Sequence, residues 1–138
     1  MATRSTIAIQ NDDGTVTGIY CHWDGYLSYN GRILKENYNT EAKVRELIAL
    51  GQLSVLGETI GEKVDFNNAP DGQCIAYDRD RGQTGCEPAT EHNWRQFINE
   101  NGQEYNYLFV PDEGWRVEYY GRMGDLAEEM VREEKENA

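Results

Sequence analysis

His22 and Asp24 stand two residues apart within Tyr20-Cys21-His22-Trp23-Asp24-Gly25-Tyr26. An imidazole beside a carboxylate can act as a general base, and a charged imidazole can bind a phosphate or an amide. In extended backbone both side chains would project to one face, with Tyr20 behind them. The structural alternative is a His hydrogen-bonded within a sheet and an Asp that opens an Asp-Gly turn or caps the helix starting near Tyr26. Tyr20, His22, Asp24 and Tyr26 are therefore candidate ligand-binding residues, and if the chain is an enzyme His22 and Asp24 are its catalytic pair.

A second candidate is Asp78-Arg79-Asp80-Arg81-Gly82. Read as a strand end, it places Arg79 and Arg81 on one face, where two guanidinium groups could hold a phosphate or carboxylate bidentately. Its plain alternative is a solvated strand end with charges paired to neighbours. A metal site would have to recruit Cys74, Cys86, His92 and either Cys21 or His22, whose separations lack the short pairings of zinc sites. No metal and no cofactor is expected. Cys21 and Cys86 lack a local signature for nucleophilic catalysis, and the glycines form neither a Walker loop nor a dinucleotide fingerprint.

The aromatic load points to binding. Nine Tyr, three Trp and three Phe occur in 138 residues, and rings with one polar end suit interfaces and stacking on a base. A net charge of −12 argues against direct binding to nucleic acid, which draws affinity from Lys and Arg on phosphates. It leaves solubility, complementarity to a basic partner, or mimicry of nucleic-acid charge. No apolar leader follows Met1 and no stretch is long enough to span a bilayer, so a cytosolic location without membrane contact is expected. Three irregularly spaced cysteines fit reduced thiols.

These side chains need elements to position them. Residues 5–10 and 15–23 alternate in the manner of strands around Asn11-Asp12-Asp13-Gly14, a hairpin turn. That alternation puts Ile19, Cys21 and Trp23 on one face and Gly18, Tyr20 and His22 on the other. Residues 26–38 predict a helix with a stripe of Leu27, Asn30, Gly31, Leu34 and Tyr38, and residues 41–50 a second with Val44, Leu47 and Ile48 buried, Thr40 at its start and Gly51 past its end. Residues 53–60 read as an apolar connection, 64–72 as an exposed loop and 74–77 as a strand. A helix is expected over 91–101 from a Thr90 start, then strands over 105–110 and 115–120 around Pro111-Asp112-Glu113-Gly114.

From Asp125 the chain carries six acidic and two basic residues, read as an amphipathic helix or tail that frays or docks on a partner subunit, so a homo-oligomer is allowed. The expected organisation is one α+β domain over 1–124 with an acidic helix or tail over 125–138. Its order is β-β-α-α-β-α-β-β-α, a single-layer antiparallel sheet with helices mainly on one face.

Thr3-Arg4-Ser5-Thr6-Ile7-Ala8, Asp13-Gly14-x-Val16 and Ile19-Tyr20-Cys21-His22-Trp23-Asp24-Gly25-Tyr26 resemble a family of small, mostly uncharacterised proteins of bacteriophages and related mobile elements. The likeness continues through Lys43-Val44-x-x-Leu47-Ile48-x-Leu50-Gly51-x-Leu53-Ser54-x-Leu56-Gly57 and Tyr77-x-Arg79-Asp80-Arg81-Gly82, and covers residues 107–115 but not the acidic tail. It carries no catalytic residues across. It implies a non-catalytic accessory protein, acting in the cytoplasm of an infected host, that antagonises a host defence component, either an effector protein or a sequestered small nucleotide. An enzyme acting on a nucleotide or phosphate ester, and an acidic DNA mimic, are the alternatives.

Overall fold

Alternating apolar residues on either side of polar turns give two hairpins, and the sheet is built by joining them. In the computed structural model, which describes residues 2–136, β1 (Ser5–Gln10) and β2 (Val16–Cys21) pair antiparallel. Their turn is closed by the Asn11 amide donating to the Thr15 carbonyl at 2.8 Å, with Gly14 at φ +87° where a side chain would be strained. A wide π-helical turn over Leu27–Gly31 leads into α1 (Arg32–Asn37), then α2 (Glu41–Ile48), β3 (Leu53–Val55), β4 (Ile75–Ala76), α3 (Tyr77–Arg81), β5 (Ala89–Glu91) and α4 (Trp94–Asn101). The second hairpin is β6 (Tyr105–Val110) and β7 (Gly114–Tyr119), followed by β8 (Arg122–Asp125) and α5 (Leu126–Glu136).

The eight strands form one open, mostly antiparallel sheet in the order β4-β3-β2-β1-β6-β7-β8, with β5 also pairing β2. The α+β expectation holds at that level. Two pairings differ from a purely antiparallel sheet: β1 runs parallel to β6, and β2 meets β3 in parallel through Cys21 and Leu53. Because β1 and β6 are parallel, the end of β2, the start of β6 and the end of β7 come to the same end of the sheet.

Side-chain alternation divides the core in two. Ile7, Ile9, Ile19, Tyr107, Phe109 and Val117 face the main core, which is filled by Leu27, Leu34, Val44, Leu47 and Leu126 from the helical elements. The expected stripes are buried here, Leu27, Asn30, Gly31, Leu34 and Tyr38 in the first helical segment and Val44, Leu47 and Ile48 in α2. Thr40 caps α2 by accepting from the Lys43 amide at 3.2 Å. On the opposite face Ala8, Val16, Leu108 and Val110 pack with Phe97 of α4.

Several local readings need correction. Residues 26–38 are a π-helical turn followed by a short α-helix, because Gly31 bonds back to the Tyr26 carbonyl, five residues away, instead of four. The apolar connection contains β3, held by pairing to β2 and β4. The helix expected over 91–101 begins at Trp94, since Asn93 accepts from the Gln96 amide at 2.9 Å while residues 89–91 are drawn into pairing with β2. Strand β8 was not expected. The acidic tail is helical and its base packs on this chain's own core through Leu126, with Met130 half-buried against it; Asn137 and Ala138 lie outside the described residues.

The second core depends on the bare surface of Gly18. A Cβ there would lie 2.6 Å from Phe97 Cζ and 2.7 Å from Ala8 Cβ. Gly18→Ala should therefore destabilise the fold by about 1–3 kcal/mol in chemical denaturation, as overpacking does. Wild-type stability in that variant would show that α4 does not seat on β2 as described.

Candidate functional site

Strand alternation carries Tyr20 and His22 to one side and stops there. The consecutive His22 and Trp23 amides donate to the Leu53 and Ser54 carbonyls at 3.0 and 3.1 Å, and Trp23, expected on the buried face with Ile19 and Cys21, is exposed with its ring edge-on to His22. The Tyr20 hydroxyl and His22 Nδ1 are then 2.7 Å apart. Burial raises the Tyr20 phenol above its ordinary pKa, with the Arg4 charge acting in the opposite sense.

Asp24 does not join them. Its φ of +59° breaks the extended backbone, so the same-face placement with His22 is lost. Its carbonyl accepts from the Asn30 amide at 3.1 Å, and its carboxylate accepts only a long contact from the Tyr26 hydroxyl, 3.4 Å. Among the described residues no hydrogen bond connects His22 to Asp24. The junction is fixed from beneath: the buried Asn30 amide donates to the Trp23 carbonyl at 3.2 Å, and the Tyr107 hydroxyl to the Gly25 carbonyl at 2.6 Å.

The arginines are placed differently from the strand-end expectation. Residues 77–81 are helical, closed by Gly82 at φ +69°, so Arg79 and Arg81 do not share a face as alternate strand residues would. Arg79 donates to the carbonyls of Ile60 and Cys74, both at 2.9 Å, and to both oxygens of Asp80 at 3.0 and 3.1 Å. Asp80 in turn accepts from the Ala76 and Val64 amides. This pair ties the 56–74 connection to α3 and leaves Arg79 without a free edge for a ligand. Arg81 lies 4.5 Å from the Phe66 ring centre and 4.9 Å from that of Tyr77, and donates to the Gln83 side chain.

Of the six candidates, only Tyr20 lines the cleft that opens on the α4 face of the sheet, about 340 Å³ in volume. Its buried lining includes Thr6, Gly18 and Phe97, and Gln52, Glu87, Glu100, Asn101 and Gln103 are half-buried or exposed lining. No Lys or Arg lines it, and the C-terminal end of α4, with its partial negative charge, borders it. Sequence reasoning missed these residues because they are single polar positions beside glycines and element ends. Gly51 and Gly102, next to Gln52 and Gln103, were the only local signals, and both read as punctuation.

Two of the three thiols are poorly suited to nucleophilic chemistry. Burial pushes Cys21 up to about 12 and also raises Cys74, which keeps both protonated near neutral pH. Among the described residues no three His, Cys, Asp or Glu side chains are grouped to share an ion. Comparison with protein-family models, curated proteins and solved structures finds no match to this chain.

The Arg79–Asp80 pair yields a stability test. Burial alone would raise the Asp80 carboxyl, but hydrogen bonds from Arg79, Ala76 and Val64 outweigh it and hold the group below the ordinary carboxylate value. A depressed carboxyl stabilises the fold above the unfolded value near pH 4, and that stabilisation is lost as pH falls through the folded value. Asp80→Asn should cost about 1.5–3 kcal/mol at pH 7, with the gap to wild type narrowing below about pH 4. A gap independent of pH would contradict the ion-paired assignment.

Proposed function

We propose that the chain is a non-catalytic accessory protein of the bacteriophage type that antagonises a host defence component by binding it, and that this component is an effector protein. The observation that carries the choice of a protein over a nucleotide is the charge of the cleft: its lining holds Glu87 and Glu100 and no Lys or Arg, with Arg4 beside it near the Tyr20 hydroxyl. A nucleotide needs charge partners for its phosphates; Arg79, expected to supply one, directs its donors within the protein, and Arg81, exposed over Phe66 and Tyr77, does not line the cleft. An acidic surface of this kind complements a basic protein.

The same arrangement weighs against hydrolysis of a phosphate ester, because His22 is coupled to Tyr20 and not to Asp24. Charge mimicry through α5 draws less support than a discrete contact surface. Glu129 of that helix is turned inward, accepting from the Tyr119 hydroxyl at 2.7 Å and facing Arg122, and Arg132 pairs with Glu136. Among the described residues no helix is long and apolar enough to cross a membrane, and the site of action on this reading is the cytoplasm of an infected cell.

Incubating the protein with a nucleotide mixture and analysing the mixture before and after heat denaturation tests the reading. Nucleotides should be neither converted nor withdrawn. Converted product would sink the binding-only reading, and nucleotide withdrawn and then released by heat would replace the protein partner with a sequestered nucleotide.

A further inference from the structure

The cleft beside Tyr20 contains more directional information than its charge. Asn101 points its amide nitrogen at Glu91, 3.3 Å away, and Gln103 points its own at the Asn101 backbone carbonyl, 3.5 Å away. One N–H of each amide is thus turned to the protein, and both side-chain oxygens remain as acceptors. Glu87 and Glu100 add carboxylate oxygens at the rim, and among the described residues neither forms an ion pair. The two carboxylates tip the lining toward acceptors, which suits a group that only donates.

We infer that this cleft receives an arginine side chain presented by the basic partner protein. The inference rests on the protein-binding reading above and adds the group that is recognised. A guanidinium offers five donors in a planar fork and no acceptor, which suits several separated oxygens better than the compact ammonium of lysine. Its stem would lie against half-buried Ala89, over the closed contact of Gly18 with Phe97. Tyr20 is the aromatic residue available to the head group, whose charge is set toward Glu87, Glu100 and the C-terminal end of α4, away from Arg4 at the Tyr20 hydroxyl. A volume near 340 Å³ is at the small end of ligand sites, of about 300–1,000 Å³, and suits one long side chain. The net charge of −12 steers a basic partner toward the surface without deciding where it docks.

The test titrates the full chain with a short blocked peptide containing one arginine, with the same peptide carrying neutral citrulline, and with free L-arginine. The side-chain amide resonances of Gln52, Asn101 and Gln103 are followed by nuclear magnetic resonance. The arginine peptide should shift them, the citrulline peptide should bind about tenfold or more weakly, and Glu87→Gln and Glu100→Gln should each weaken the arginine peptide by about tenfold. Glu62→Gln removes the same charge from an exposed loop and should leave binding within about twofold.

Equal binding of the citrulline peptide, or an equal loss in Glu62→Gln, would overturn the assignment. Free arginine binding as tightly as the peptide would overturn the partner as the source of the group. None of these arms uses a nucleotide or a host protein, so a failed titration alongside unchanged nucleotides removes the arginine site alone. Nucleotide conversion removes the binding-only reading whatever the peptide does.

Discussion

The hydrogen bond from the buried Tyr107 hydroxyl to the Gly25 carbonyl joins residues 82 apart in sequence, and the arrangement around β2 follows from it. Tyr107 stands in β6, beside β1 in the central parallel pair, with Ile7 as its register partner. Its ring is fully buried, and its hydroxyl must find an acceptor because an unpaired buried polar group costs about 1–3 kcal/mol. Gly25 supplies that acceptor at the point where the chain leaves the sheet, and its own amide donates to the Thr3 carbonyl at 2.8 Å. The π-helical turn then passes over Tyr107, where a Cβ on Gly31 would sit 3.3 Å from the hydroxyl. A side chain at Gly25 would meet Ser5 and the backbone of Thr3. The conspicuous polar and aromatic stretch is therefore first a joint between two halves of the sheet, and His22 and Trp23 take their positions from it.

That constraint explains what was legible in the sequence. The first hairpin, the buried stripe from Leu27 to Tyr38, the Thr40 cap and the Pro111 to Gly114 hairpin loop are local patterns whose period or turn chemistry is set within a few residues. They appear where expected. The strands β3 and β5 were not legible because each is three residues long and exists only through its partner: β5 pairs the first half of β2 while β3 continues from its last residue. Their short sequences carry no period of their own. Long-range pairing overrode the local reading, which is also why Thr90 gave way to Asn93 as the helix cap.

The candidate residues divide along the same line. Tyr20 and His22 were correctly assigned to one face, because alternation along a strand is a local property. Asp24 was misplaced because a left-handed residue interrupts the alternation, and an Asp before Gly is compatible with either outcome. For Arg79 and Arg81 the ambiguity was between strand and helix over five residues, and no local period decides that length. Their partners are Ile60, Cys74 and Phe66, which fall in the segments read from sequence as a connection, a strand and a loop, with no local reason to face a guanidinium.

Chemistry and charge meet in how the cationic side chains are distributed. Arg32, Arg45 and Arg132 are paired to carboxylates one helical turn away, Arg79 to buried Asp80, and Arg122 to the inward-turned Glu129. Cations held in such pairs do less to neutralise distant surface than their number suggests, since exposed charges are screened within about 10 Å. The cleft between α4 and β2 lies among the charges left over, with Glu87 and Glu100 at its mouth and no cation on its walls. Burying an unpaired carboxylate in a cleft is costly, so Glu87 and Glu100 remain at the solvent edge. A ligand that closes this cleft must bring its own positive charge or leave both carboxylates hydrated.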